Sequence, residues 1–173
     1  GVPGQTPEQA AGKWCSPQGG EQIVVSANLT SLKPRLDDLA WDWSGLGVFQ
    51  ETHCSSKWGK EALARKGFTS LWGSEVVGKA LVCLACRGGT LQAIALQPPA
   101  LMVDRVVMGI WRPNPKLALV VASVHGWTAP SRAQEKALTD TLHMLQAEVV
   151  ARGRVPALIA GDFNVEVRTW TGW

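Results

Sequence analysis

Three short apolar runs, far apart in the chain, each stop abruptly at polar side chains, and this pattern limits the fold more than any other feature. Ile23-Val24-Val25-Ser26-Ala27 halts at Asn28, Leu46-Gly47-Val48-Phe49 at Gln50-Glu51-Thr52-His53, and Ala157-Leu158-Ile159-Ala160 runs into Gly161-Asp162-Phe163-Asn164. Runs of this length and β-branched content are buried strands. Between the first two, Pro34 suits a first helical turn, Leu32, Leu36, Leu39 and Trp43 recur at helical spacing, and Gly45 supplies a stop, which predicts a covering helix. Strands joined by such a crossover run side by side, so Asn28 and Glu51 should reach one edge of a sheet.

The rest of the chain extends this α/β pattern. Residues 56 to 66 read as a second helix capped by Gly67, and the runs at 68–72, 80–86, 90–96, 105–111 and 117–124 as an antiparallel meander. Arg87-Gly88-Gly89 and Arg112-Pro113-Asn114-Pro115 are its expected turns. Ser131 opens a long helix through an S-x-x-Q capping box to Gln134, with Ala137, Leu138, Thr141, Leu142, Leu145 and Val149 on one face, ended by Gly153 and Pro156. Residues 1–20, rich in Gly, Pro, Gln and Ser, read as a linker, and 21–173 as one domain.

Composition narrows the class without choosing the chemistry. With 46% apolar and 18% charged residues the chain is globular, and no uncharged apolar run is long enough for a membrane span. A net charge of +3 permits contact with phosphates but does not by itself argue for nucleic acid. Cys83 and Cys86 form a lone CxxC with no second ligand pair, so they read as buried thiols rather than zinc ligands. The few scattered cysteines and the lack of a secretory pattern lead us to expect an intracellular setting, the nucleus included. A start at Gly1 and an end at Trp173 lead us to expect a piece of a longer protein.

Asn28, Glu51, Asp162 and Asn164 at strand ends make a hard-cation donor set. A few carboxylate oxygens and amides suit Mg²⁺ far better than zinc, and no nucleophilic Ser or Cys motif competes. In order, strand-Asn28, Gln50-Glu51-Thr52 and the apolar run into Gly161-Asp162-Phe163-Asn164 resemble the signature of the endonuclease/exonuclease/phosphatase superfamily, which has a DNase I-like fold. Arg87-Gly88-Gly89-Thr90 and Ser123-Val124-His125-Gly126-Trp127 resemble its Gly-Gly strand and Tyr-Gly motif. The resemblance covers roughly residues 22 to 167 and is greatest to the endonuclease domains of non-LTR retrotransposons.

The resemblance implies a partial four-layer α-β-β-α sandwich and DNA phosphodiester hydrolysis with Mg²⁺ or Mn²⁺. It makes Glu51 a metal ligand with Asn28 beside it, on the metal or the phosphate. Asp162 would orient the attacking water, Asn164 would contact the scissile phosphate, and His125 would donate to that phosphate in place of the family's Tyr. The family's late Asp-His pair and Ser-Asp-His motif are absent from the nine residues after Asn164. The expectation is therefore little or no turnover from these residues alone, and a sheet with an uncovered face or edge. A non-catalytic remnant that binds nucleic acid or nothing at all, and a phosphatase or lipid phosphodiesterase of the same fold, are the rival readings. His53 and His143 read as bland, the nine tryptophans mainly as packing, and Lys57, Lys60, Arg65 and Lys66 as a solvated face.

Overall fold

Periodicity in the strands explains how the layers assemble. The computed structural model describes residues 22–164, so the linker expected at 1–20 and the terminal Trp170 and Trp173 lie outside the described residues. Strands β1 (Ile23–Asn28), β2 (Gly45–Cys54), β3 (Thr69–Trp72) and β4 (Ala80–Arg87) form one sheet in the order β1-β2-β4-β3. Strands β5 (Thr90–Ala93), β6 (Val106–Asn114), β7 (Leu117–His125) and β8 (Ala157–Asp162) form a second in the order β5-β6-β7-β8. The β1/β2 and β7/β8 pairs are parallel, each joined through a helix, α1 (Leu32–Asp38) and α3 (Arg132–Ala151) respectively. A further helix, α2 (Ser56–Arg65), follows β2.

Alternation along β4 shows the layering. Cys83 and Ala85 face outward with Leu32 of α1 and Leu63 of α2, whereas Val82, Leu84 and Cys86 face inward with Leu46, Val107 and Val121. On the far side, Met108, Val120 and Ala122 pack under Ala137, Leu138, Leu142 and Leu145 of α3. The result is the expected α-β-β-α sandwich. The two thiols of the CxxC are buried and point to opposite faces of one sheet, which is how a strand separates residues three apart. Among the described residues both faces of each sheet carry packed apolar clusters, so of the uncovered face or edge expected it is the edge that is found, at β1, where every second residue is exposed.

Several boundaries differ from the sequence reading. The first helix ends at Asp38 instead of reaching Trp43, because the chain turns extended at Leu39. Trp41 and Trp43 leave the helix to bury their rings against Phe68, at centroid distances of 5.6 and 4.9 Å. Tertiary aromatic packing outweighs helical spacing here. The meander is split: Arg87-Gly88-Gly89 carries the chain from one sheet to the other and is not a hairpin turn. At Gly89, φ is +79° and a Cβ would lie 2.1 Å from the Arg112 carbonyl oxygen, so glycine is required. β6 continues to Asn114, so Arg112-Pro113-Asn114 is strand and only the last residues of that expected turn reverse the chain.

The capping box at Ser131 forms as expected, with Ser131 and Gln134 each accepting the other's backbone N–H. Leu84→Ala, in the seam between the sheets, should cost about 2–5 kcal/mol, and Ser131→Ala about 1 kcal/mol. Urea denaturation of the two variants should show this order.

Candidate functional site at one rim of the sandwich

Placing polar side chains together at the ends of β1, β2, β7 and β8 requires both sheets to present the same end to solvent. A buried link between them secures this. Gln50 is 2% exposed and Ser123 fully buried; the Gln50 amide donates to Ser123 Oγ at 3.0 Å and to the Val48 carbonyl at 3.1 Å. Ser123 Oγ in turn donates to the Phe49 carbonyl at 2.9 Å. An amide without partners there would cost about 1–3 kcal/mol, so one relative position of β2 and β7 is favoured.

Just past Gln50, β2 departs from regular pairing. Gln50 pairs with Val82 and Cys54 with Ala80, so Glu51, Thr52 and His53 stand against Leu81 alone in a bulge. Thr52 is buried and donates to the Ala80 carbonyl at 2.8 Å, while Glu51 and His53 take positive φ of 55° and 48°. Such backbone costs about 1–3 kcal/mol per residue and persists where packing enforces it, often at functional sites. The bulge turns Glu51 toward the second sheet, where its Oε1 lies 3.5 Å from His125 Nε2.

The second contact across the rim joins Asn28 and Asp162. Asn28 Nδ2 donates to Asp162 Oδ2 at 3.0 Å, and Asn28 Oδ1 accepts from the Thr30 N–H at 3.0 Å, so the turn function and the inter-sheet bridge coexist in one side chain. Asp162 ends β8 beside His125 of β7, and the Gly126 N–H donates to the Asp162 carbonyl at 2.7 Å. Asn28, Glu51, His125 and Asp162 thus converge on one rim. Asn164 follows at a φ of 51° and is exposed; no hydrogen bond among the described residues ties it to the other four.

Electrostatics add Arg105, which nothing in the sequence distinguishes because its partners are backbone atoms. Its NH1 donates to the carbonyls of His125 at 3.3 Å and Gly126 at 2.8 Å, and its guanidinium carbon sits 4.3 Å from the centroid of Trp127. Burial pushes the His125 pKa below its ordinary value, assisted by Arg105 and, to a smaller degree, His53, and opposed by Glu51 and Asp162. His53, read as bland from sequence, therefore shares the field of this rim. The buried Nδ1 of His125 has no hydrogen-bond partner among the described residues, which suits a neutral ring whose proton sits on Nε2 facing Glu51.

Among the described residues no group of three or more His, Cys, Asp or Glu side chains is placed to hold a metal, so the rim offers no closed cage of protein ligands. It offers the partly exposed Glu51 carboxylate, with the Asp162 carboxylate on the same rim. That donor set fits a hydrated Mg²⁺ or Mn²⁺, which needs one or two carboxylates and completes its shell with water and phosphate oxygens.

No family model matches the sequence, and no curated protein matches it. Solved structures do match in fold. An AP endonuclease from Archaeoglobus fulgidus aligns at a TM-score of 0.63 and 18% identity, over 84% of this chain and 58% of that one. Humanized D. rerio TDP2 aligns at 0.60 and 14%, over 86% and 64%. The 3' phosphatase NExo from Neisseria, bound to product DNA hairpin, aligns at 0.59 and 20%, over 82% and 57%. These neighbours have the DNase I-like endonuclease/exonuclease/phosphatase fold, and this chain has the same mixed α/β architecture. It spans between 57% and 64% of their lengths.

The depressed His125 pKa has a signed consequence. The unfolded chain takes up the proton more readily than the folded one, so stability should be full above pH 6.5 and fall as pH drops below it. A proton NMR titration of the His125 ring should give a midpoint below 6.5; a midpoint at or above that value contradicts the burial described here.

Proposed function

We propose that this chain is part of a divalent-metal-dependent phosphodiesterase that cuts DNA, an endonuclease of the kind found in non-LTR retrotransposons. The observation that carries the proposal is the Asn28–Asp162 hydrogen bond, 134 residues apart in sequence, beside the Glu51–His125 contact on the same rim. The ordered sequence motifs support the retrotransposon assignment, and the DNA hairpin bound to the Neisseria neighbour supports the substrate class.

In this reading Glu51 holds Mg²⁺ or Mn²⁺, with Asn28 beside it on the metal or the phosphate. A bound divalent ion supplies charge neutralisation at a phosphoryl oxygen. Asp162, its carboxylate fixed by the Asn28 amide, orients water and takes up its proton. His125, neutral at pH 7 and carrying its proton on Nε2, donates to the phosphate, and Asn164 binds the phosphate from its exposed position after β8. The little or no turnover expected of these 173 residues alone belongs to the same proposal.

Single-turnover nicking of supercoiled plasmid, with protein in excess and Mg²⁺ or Mn²⁺ present, tests it. Glu51→Gln and Asp162→Asn should each slow nicking by about 10²-fold or more. Mn²⁺ binding, followed by electron paramagnetic resonance, should weaken in Glu51→Gln, and unchanged binding would remove Glu51 from the metal site. A wild-type chain that binds DNA but neither nicks it nor binds Mn²⁺ through Glu51 supports the non-catalytic reading instead. Release of phosphate from 3'-phosphorylated ends without nicking would favour a phosphatase, as the Neisseria neighbour is named.

A further inference from the structure

Three cations at the end of the sandwich opposite the candidate site are left over once the fold's own ion pairs and hydrogen bonds are made. β7 and β8 begin at this end and finish at His125 and Asp162, so strands of nine and six residues separate it from the rim, roughly 20–30 Å at about 3.3 Å per residue. Arg112 lies near the end of β6, Lys116 in the β6–β7 turn and Arg154 in the connection from α3 to β8. The Lys116 N–H donates to Asn114 Oδ1 at 2.9 Å and the Val120 N–H to the Pro156 carbonyl at 2.9 Å, which sets these segments side by side. All three side chains are exposed, and no hydrogen bond or ion pair among the described residues engages them.

The other charges at this end are accounted for. Arg152 NH1 donates to the Glu148 carboxylate at 2.6 Å and to the Glu148 carbonyl at 2.9 Å, which also serves the carbonyl end of α3. Glu148 is thereby occupied. Arg87 NH1 donates to the Trp41 carbonyl at 2.8 Å, next to exposed Asp42. Asp37, Asp38 and Glu61 sit on α1 and α2, across the outer face of the first sheet, whereas the three unengaged cations belong to the second.

This arrangement selects an extended polyanion. From β6 to β8 the cations span two strand spacings, roughly 10 Å, and a nucleic-acid strand carries one charge about every 3.4 Å, so about three phosphates face them. Arg112 and Arg154 bring planar forks that pair with phosphate oxygens. Exposed Gly88 and Gly89 border Arg112, and their N–H groups, which make no hydrogen bond among the described residues, add donors that no side chain crowds. The rings at this end, those of Trp41, Trp43, Phe68 and Trp111, are buried, so bases are neither stacked upon nor read. Anionic lipid fits less well, because it gains only about 1 kcal/mol per cation.

We propose that Arg112, Lys116 and Arg154 form a second contact for duplex DNA, made to the phosphate backbone alone and remote from the rim. The choice of polymer rests on the phosphodiesterase reading above, which places DNA at Glu51 and Asp162. A chain engaged at both ends holds two segments of duplex.

The test compares the full wild-type chain with two triple variants. Arg112→Gln with Lys116→Gln and Arg154→Gln removes the charges, and Arg112→Lys with Lys116→Arg and Arg154→Lys keeps them. Fluorescence anisotropy on a short duplex is recorded from 0.1 M NaCl upward, where a Debye length of about 10 Å prevents these cations from assisting the rim through space. The charge-removing variant should bind about tenfold more weakly at 0.1 M, with its slope of log affinity against log salt reduced by about 2 to 3 and its thermal unfolding unchanged. The charge-keeping variant should bind as wild type does. Equal affinity and slope in wild type and the charge-removing variant overturns the proposal, as does a wild-type chain without affinity for duplex. Polyglutamate or phosphatidylserine vesicles bound through these residues in place of duplex overturns it in favour of an acidic protein or a membrane. Mn²⁺ binding at Glu51, followed by electron paramagnetic resonance, reports on the phosphodiesterase reading separately: its absence beside an intact difference in salt slope removes the rim site and leaves this contact standing.

Discussion

Two β-sheets can slide over one another by a residue at little hydrophobic cost, and in this chain the buried Gln50–Ser123–Phe49 hydrogen-bond chain opposes that freedom. Each such bond contributes only about 1 kcal/mol net, but breaking one partner strands a buried polar group at about 1–3 kcal/mol. The seam around it is otherwise apolar, with Leu46, Val48, Leu84 and Val121 fully buried, and aliphatic contact alone is non-directional. The directional element fixes the register. From that register follows the meeting of β2 with β7 that leaves Glu51 facing His125, and the meeting of β1 with β8 that leaves Asn28 bonded to Asp162.

The rim carries the costs that a purely structural edge would avoid. Glu51 and His53 hold positive φ, the buried Nδ1 of His125 has no hydrogen-bond partner among the described residues, and Arg105 is desolvated against two carbonyls and an indole ring. The four buried layers beneath offset these terms, which individually amount to about 1–3 kcal/mol. Strain gathered at one end of a well-packed sandwich, beside two carboxylates and an imidazole, is the distribution expected of a site that acts on a ligand.

Much of this was legible in the sequence because strand ends and caps are local. The β-branched runs before Asn28, Glu51 and Asp162, the capping box at Ser131 and the burial of both CxxC thiols all follow from near neighbours in the chain. The misreadings involve long-range terms. Trp43 fits a helical stripe until Phe68, 25 residues on, offers its ring a better contact. Gly88 and Gly89 resemble a hairpin turn until the Arg112 carbonyl shows that the chain is crossing between sheets. Arg105 and the Gln50–Ser123 link are invisible in one dimension, because their partners are backbone atoms or a hydroxyl 73 residues away.

The central claim is that one rim gathers Glu51 and Asp162 to share a hydrated cation and a phosphate. Anomalous diffraction from crystals of the chain soaked in Mn²⁺, recorded at the manganese edge, addresses it most directly. The account predicts a peak about 2.1 Å from a Glu51 carboxylate oxygen, on the side of the rim where Asp162 stands. A strong peak on another surface, with Glu51 uncoordinated at saturating Mn²⁺, would contradict it.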